Sequence, residues 1–106
     1  MNTIDIALDR MVGAILDSAE YREYDKQRNN VKQYPELKAQ IDEYRKKNFE
    51  LQNGEENVFE KLSQLEREYA GLRENPVASD FLEAELAFCR LMQDINLRLT
   101  EALHFE

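Results

Sequence analysis

The sequence predicts an all-α fold: a small bundle of four to five amphipathic helices built around a central antiparallel helical hairpin. Three observations predict it. Apolar residues recur in steps of three and four along the chain, the spacing of one helix face. No stretch alternates apolar with polar as a half-buried strand would. Only 3 glycines and 2 prolines interrupt 106 residues, and each sits where a helix could change direction.

Ile4, Leu8, Met11 and Ile15 step by 4, 3 and 4 and form the stripe of a first helix. Asp17-Ser18-Ala19-Glu20 reads as a capping box, with Asp17 as N-cap and Glu20 reaching back to its amide. It would open a second helix carrying Tyr21, Tyr24 and Val31, or mark a kink in one helix running to about Lys32. Pro35 suits the first position of a third helix, where its missing N–H costs nothing. That helix carries Leu37, Ile41, Tyr44 and Leu51 on one stripe. Asp42/Lys46 and Glu43/Lys47 are acid-before-base pairs on its exposed side. Asn53-Gly54 is a turn, and Asn53 with Glu56 can cap the next helix. The fourth helix bears a heptad stripe of Val58, Leu62, Leu65, Tyr69 and Leu72. So short a connection folds helices three and four into an antiparallel hairpin. Asn75-Pro76 ends the fourth helix and starts a fifth, faced by Phe81, Ala84, Phe88, Leu91, Met92, Ile95, Leu99 and Leu103.

One domain over residues 1–106 is the simplest organisation for this length. With 22 acidic and 14 basic residues the net charge is −8, which argues against a uniformly basic nucleic-acid binder. A hydrophobic content of 42% is too high for an obligately disordered acidic tail. A lone cysteine leaves no intrachain disulfide and no cysteine-built zinc site. The longest apolar run, residues 11–16, is far short of the ~20 residues that span a bilayer. The first residues lack a positive n-region, so the expected location is the cytoplasm, without membrane insertion.

Catalytic constellations are missing. A His-paired nucleophile would have to use His104, close to the end of the sequence and read as a solvated tail residue. Carboxylate pairs such as Glu56/Glu60 and Glu83/Glu85 arise readily among so many acids and read as solvated faces. Cys89 reads as a small buried hydrophobe. No enzyme, cofactor or metal site is expected. Charge is unevenly spread: residues 21–47 hold eight bases and five acids, +3, against −11 elsewhere. Arg22, Lys26, Arg45, Lys46 and Lys47 are therefore the candidate partner-binding residues, for an acidic protein surface or, as a lesser alternative, RNA. Tyr21, Tyr24 and Tyr44 lie among these bases and could stack on RNA bases, although their helical spacing favours core packing. Five amphipathic helices in so short a chain leave apolar surface for self-association or a partner helix.

The ordered string Ser18-Ala19-Glu20-Tyr21-Arg22-Glu23-Tyr24, Pro35-Glu36-Leu37, Phe49-Glu50-Leu51-Gln52, Leu72-Arg73-Glu74-Asn75-Pro76-Val77 and Phe81-Leu82-Glu83-Ala84-Glu85 resembles the bacterial YlbF/YmcA family. The resemblance covers about residues 4–99. It implies an all-helical, self-associating, non-enzymatic cytoplasmic regulator of competence, sporulation or biofilm formation. Such regulators act with related proteins as accessories to RNase Y in mRNA processing. Some relatives carry extra cysteines associated with an iron–sulfur centre; with Cys89 alone, that property is not carried over. The signature residues Glu20, Tyr21, Tyr24, Asn75, Pro76, Phe81 and Glu85 read as architectural. Glu85, beside an apolar stripe, needs a partner such as a tyrosine hydroxyl or an arginine across the bundle. The competing reading is a small acidic helical chaperone that holds a disordered client.

Overall fold

Asn2 opens the first helix by accepting a hydrogen bond from the Asp5 amide at 2.8 Å. The computed structural model describes residues 2–54 and 58–105, in the order α1 (Thr3–Leu16), α2 (Ala19–Val31), α3 (Pro35–Gln52), α4 (Val58–Glu68), α5 (Ala70–Glu74) and α6 (Pro76–Ala102). Among the described residues there is no strand.

The boundary between α1 and α2 is a true break, but its cap differs from the expected one. Asp17 ends α1 with helical backbone angles (φ −88°, ψ −6°), so it cannot serve as an N-cap. Ser18 is extended (φ −67°, ψ 150°), and its Oγ accepts from the Tyr21 amide at 3.1 Å while its hydroxyl donates to the Ile15 carbonyl at 2.6 Å. One hydroxyl thus serves both helix ends, and Glu20 falls in the first turn, where its charge suits the helix dipole. Pro35 does stand at the start of α3, behind a Tyr34 whose backbone (φ −126°, ψ 77°) lies outside the helical region. Asn53 closes α3, with its Nδ2 donating to the Phe49 carbonyl at 2.9 Å. Glu56, its expected capping companion, lies outside the described residues.

The predicted fourth helix is divided. Tyr69 leaves helical geometry (φ −108°, ψ 21°), so α4 and α5 are separate elements and the described helices number six rather than four to five. Leu65 before the break and Leu72 after it are both buried in the core. Asn75 then works as read from the sequence: extended, it accepts from the Val77 and Ala78 amides at 2.9 and 3.3 Å, with Pro76 at the head of α6.

α3 and α4 form the antiparallel hairpin: Leu51, late in α3, shares a groove with Lys61, early in α4, while Lys47, earlier in α3, meets Glu68 at the end of α4. α2 runs antiparallel to α6: Tyr24 contacts Phe81 and Phe88, and Tyr21, earlier in α2, reaches only as far as Phe88 among these rings. Val31, Ile41, Tyr44, Leu65, Leu72, Ala78 and Phe81 make one buried cluster where the two helix pairs meet.

The molecule is open for its mass. Its accessible surface is 8387 Å², whereas a compact 12.5 kDa monomer exposes about 6,200 Å², roughly 2,200 Å² less. The radius of gyration, 17.2 Å, likewise exceeds the ~13 Å of a compact domain of this length.

Candidate interaction surface

The polar centre of the molecule lies where the hairpin meets α6. Arg45 on α3 brings Nη2 to 2.7 Å from Glu85 Oε2 on α6. The approach is off the line of a well-aligned hydrogen bond, so this is chiefly a charge contact, and the oxygen is otherwise buried without a donor. Burial raises the Glu85 carboxyl above the ordinary glutamate value, and Arg45 pulls against that shift without cancelling it. The Arg45 guanidinium also lies 5.9 Å from the centre of the Phe81 ring and 3.7 Å from Asp42. Glu85 is thus not the solvated member of a carboxylate pair; it is the acid that ties α6 to α3.

A second network stands beside it. Arg73 Nη2 donates to the Tyr44 hydroxyl at 3.0 Å and to Glu66 at 2.8 Å, and the Tyr44 hydroxyl donates to Glu66 at 2.9 Å. Burial raises the Tyr44 phenol, so it stays a neutral donor. Sequence spacing gave no hint of this triad, because its members stand 22 and 29 positions from Tyr44. Arg45, Arg73, Leu82, Glu85, Leu86 and Cys89 line a groove of about 410 Å³ between the hairpin and α6. Cys89 is exposed there, contrary to expectation. One residue beyond Phe88, it is turned about 100° off the buried stripe.

The five candidate basic residues do not form one patch. Arg22 pairs with Asp17 at 3.7 Å on an exposed flank. Lys26 faces a groove with Asn30 and Asp80. Arg45 and Lys46 line another with Asn48, Phe49 and Gln52. Lys47 opens onto the α3–α4 groove and pairs with Glu43 at 3.1 Å and Glu68 at 3.4 Å. Most of the +3 segment is therefore occupied by ion pairs within the chain, and only Lys26 and Lys46 of the five lack one among the described residues. Tyr21, Tyr24 and Tyr44 spend their rings on Phe88, Phe81 and Tyr69 rather than presenting them for base stacking. Glu20 is half-buried in the first turn of α2, while Asn75, Pro76 and Phe81 build the head of α6.

What the surface offers instead is apolar. Ile4, Leu8, Val12 and Leu16 are exposed along α1, and Met92 and Leu99 along the far part of α6, with Leu103 at its C-cap. Phe49 and Phe59 are exposed on the two helices of the hairpin, at 69% and 84%. The sequence stripes identified α1 and α6 as apolar; the two phenylalanines lie off their stripes and were not flagged. Among the described residues no cluster of three His, Cys, Asp or Glu could hold a metal ion. No helix of the described residues is long and apolar enough to cross a membrane.

Comparison with known proteins agrees with this architecture. Residues 6–104 match the model of the family described as control of competence regulator ComK, YlbF/YmcA. A UPF0342 protein of Caldicellulosiruptor bescii is 26% identical over 109 residues, covering 99% of this chain and 91% of the relative. A UPF0342 protein of Caldicellulosiruptor saccharolyticus is 24% identical over 106 residues, covering 96% and 88%. No solved structure gives a significant match. With the match running through both the hairpin and the α2–α6 pair, the chain belongs to the YlbF/YmcA family.

Proposed function

We propose that this protein is a non-catalytic regulatory adaptor of the cytoplasm that acts through contacts between helical faces. The observation that carries the reading is the uncovered surface: 8387 Å² of accessible area, about a third more than a compact monomer of this mass needs. Much of it is large apolar side chains on α1, α6 and the hairpin. Monomeric proteins seldom leave such patches open without a partner. Family membership directs the reading to control of competence. In this reading the protein self-associates, joins related regulators, and modulates RNase Y-dependent mRNA processing, with effects on competence, sporulation or biofilm formation. Arg22, Lys26, Arg45, Lys46 and Lys47 are its candidate partner contacts; with three of them ion-paired, Lys26 and Lys46 are the ones to test first.

The test is affinity purification of the tagged chain from a Gram-positive host, with quantitative mass spectrometry of the eluate. Enrichment of a family relative together with RNase Y is expected. Enrichment of one disordered client without either would favour the chaperone reading and overturn this one. RNA that co-elutes and is lost steeply with salt would move the function to direct RNA contact.

A further inference from the structure

We propose that a cavity between the end of α2, the first half of α3 and the Phe81 ring of α6 binds a compact phosphoryl anion. The ligand is inorganic phosphate or the end of a small phosphate monoester. The site lies apart from the apolar faces on which the adaptor reading rests, and either can stand without the other.

At the end of α2, Tyr24, Arg28, Val31 and the capping Lys32 follow at i, i+4, i+7 and i+8, the spacing of one helix face. Residues 32–34 turn the chain, and α3 sets Lys38, Ile41, Asp42 and Arg45 at i, i+3, i+4 and i+7. These two faces and Phe81 enclose a cavity of about 150 Å³. Four of the eight bases of residues 21–47 therefore converge on one space, with Asp42 the one acid in its lining. Val31 and Ile41 belong to the buried core, whereas Lys32, Lys38 and Asp42 are exposed, so the cavity opens to solvent.

The donors are held in place without being used up. The Arg28 guanidinium lies 5.2 Å from the centre of the Tyr24 ring, and that of Arg45 lies 5.9 Å from the centre of the Phe81 ring. Arg28 Nη2 donates to Asp25 at 2.5 Å, but its Nε is buried with no acceptor among the described residues. A buried N–H left unpaired is costly, and an anion is one way to satisfy it. Lys38 holds Asp42 at 2.7 Å, while Lys32 has no ion pair among the described residues. Asp25 and Glu85 reach Arg28 and Arg45 from outside the lining. With both counted, four bases still face three acids, +1 in a chain of −8.

Size and charge select the ligand. At ~30 Å³ per water the cavity matches about five waters, room for one tetrahedral oxyanion. It is far below the ~300–1,000 Å³ that encloses an organic ligand of drug size. A phosphoryl group brings about −1.5 to −2 charge and three acceptor oxygens, which suit two forked guanidiniums and two ammonium groups. A carboxylate brings one charge and two oxygens, which Asp42 already supplies.

Calorimetric titration of the full chain with inorganic phosphate, at ionic strength held constant with sodium chloride, tests the site. Saturable binding is expected in the millimolar range or tighter, with NMR amide shifts centred on Tyr24, Arg28 and Lys32. Lys32→Ala, an exposed change at a helix end, should weaken binding about tenfold. Asp42→Asn, which removes the internal competitor, should tighten it about fivefold. Lys46→Ala, a base outside the cavity, should leave it unchanged. Absence of saturation, indifference to Lys32→Ala, or an equal loss in Lys46→Ala would each overturn the assignment. So would weaker binding to Asp42→Asn, acetate binding as tightly as phosphate, or shifts centred on Lys26 or Lys46. Glycerol phosphate separates the two sources: competition with phosphate assigns a monoester end, and its exclusion assigns the free ion.

Discussion

α1 and α2 are consecutive helices of nearly equal length, 14 and 13 residues, with opposite relations between composition and burial. α1 is half large apolar residues and has none buried. α2 is mostly charged or amide residues, yet it buries Gln27 and Val31 and stacks Tyr24 on Phe88 with centroids 5.3 Å apart. Even Gln27 is accommodated, its Nε2 donating to Glu23 at 2.8 Å. Burial therefore follows the surface that stands opposite a helix, not the helix's own apolarity. α2 has α6 opposite; α1, within one chain, has almost nothing.

The sharpest way to break this contrast is to remove what α2 packs on. Phe81→Ala should cost about 3–5 kcal/mol of stability by chemical denaturation, because it empties a buried ring site touched by Tyr24 and Arg45. A cost near zero would mean that α2 is not held by α6. Arg45→Ala comes next, at about 1–3 kcal/mol, since it leaves the buried Glu85 carboxylate without its counter-charge. Adding Glu85→Gln should recover most of that loss. Glu85→Gln alone should be neutral or stabilising at neutral pH. The sign follows from burial: the folded protein binds this proton at higher pH than the unfolded chain, so the wild type gains stability as pH falls through the raised value. The gap between wild type and Glu85→Gln must therefore close on acidification. A gap that widens would contradict the buried-charge account.

Smaller effects separate the two helices at their junction. Ser18→Ala should cost about 1 kcal/mol through loss of the α2 cap, while Asp17→Ala, which removes only an exposed ion pair at 3.7 Å, should change thermal stability much less. Equal losses would restore Asp17 as the cap. Smallest of all, Ile4→Ala should stay within about 0.5 kcal/mol in dilute solution, where its side chain is 69% exposed. Should the loss grow with protein concentration, α1 is covered by association.

Helix identities and the family were readable because they depend on local signals: stripes at helical spacing, Pro35, and Asn75 before Pro76. The α1–α2 cap was ambiguous because Asp17 and Ser18 are both good cap residues, and only backbone angles at each distinguish them. The division at Tyr69 was hidden because the heptad stripe runs through it unbroken, Leu65 and Leu72 both remaining apolar and buried. At the candidate site, an arginine partner for Glu85 could be anticipated from a carboxylate beside an apolar stripe, but not which arginine. The scatter of the basic residues over separate grooves was also illegible, since a charge count along the chain says nothing about which side of a helix each base occupies.

The far end of α6 has a consequence for how quickly and cheaply a partner could be met. His104 takes a left-handed conformation (φ 53°), its amide donates to Glu101, and the Phe105 amide reaches back to the Thr100 carbonyl at 2.9 Å. These paired bonds form a defined helix stop rather than a fraying tail. Leu103 and Phe105, each 74% exposed, are thereby held in place before any contact is made. A docking partner would meet side chains whose backbone is already ordered, so less conformational entropy is lost on binding. Loosening that stop should weaken association while leaving the buried core of the chain untouched.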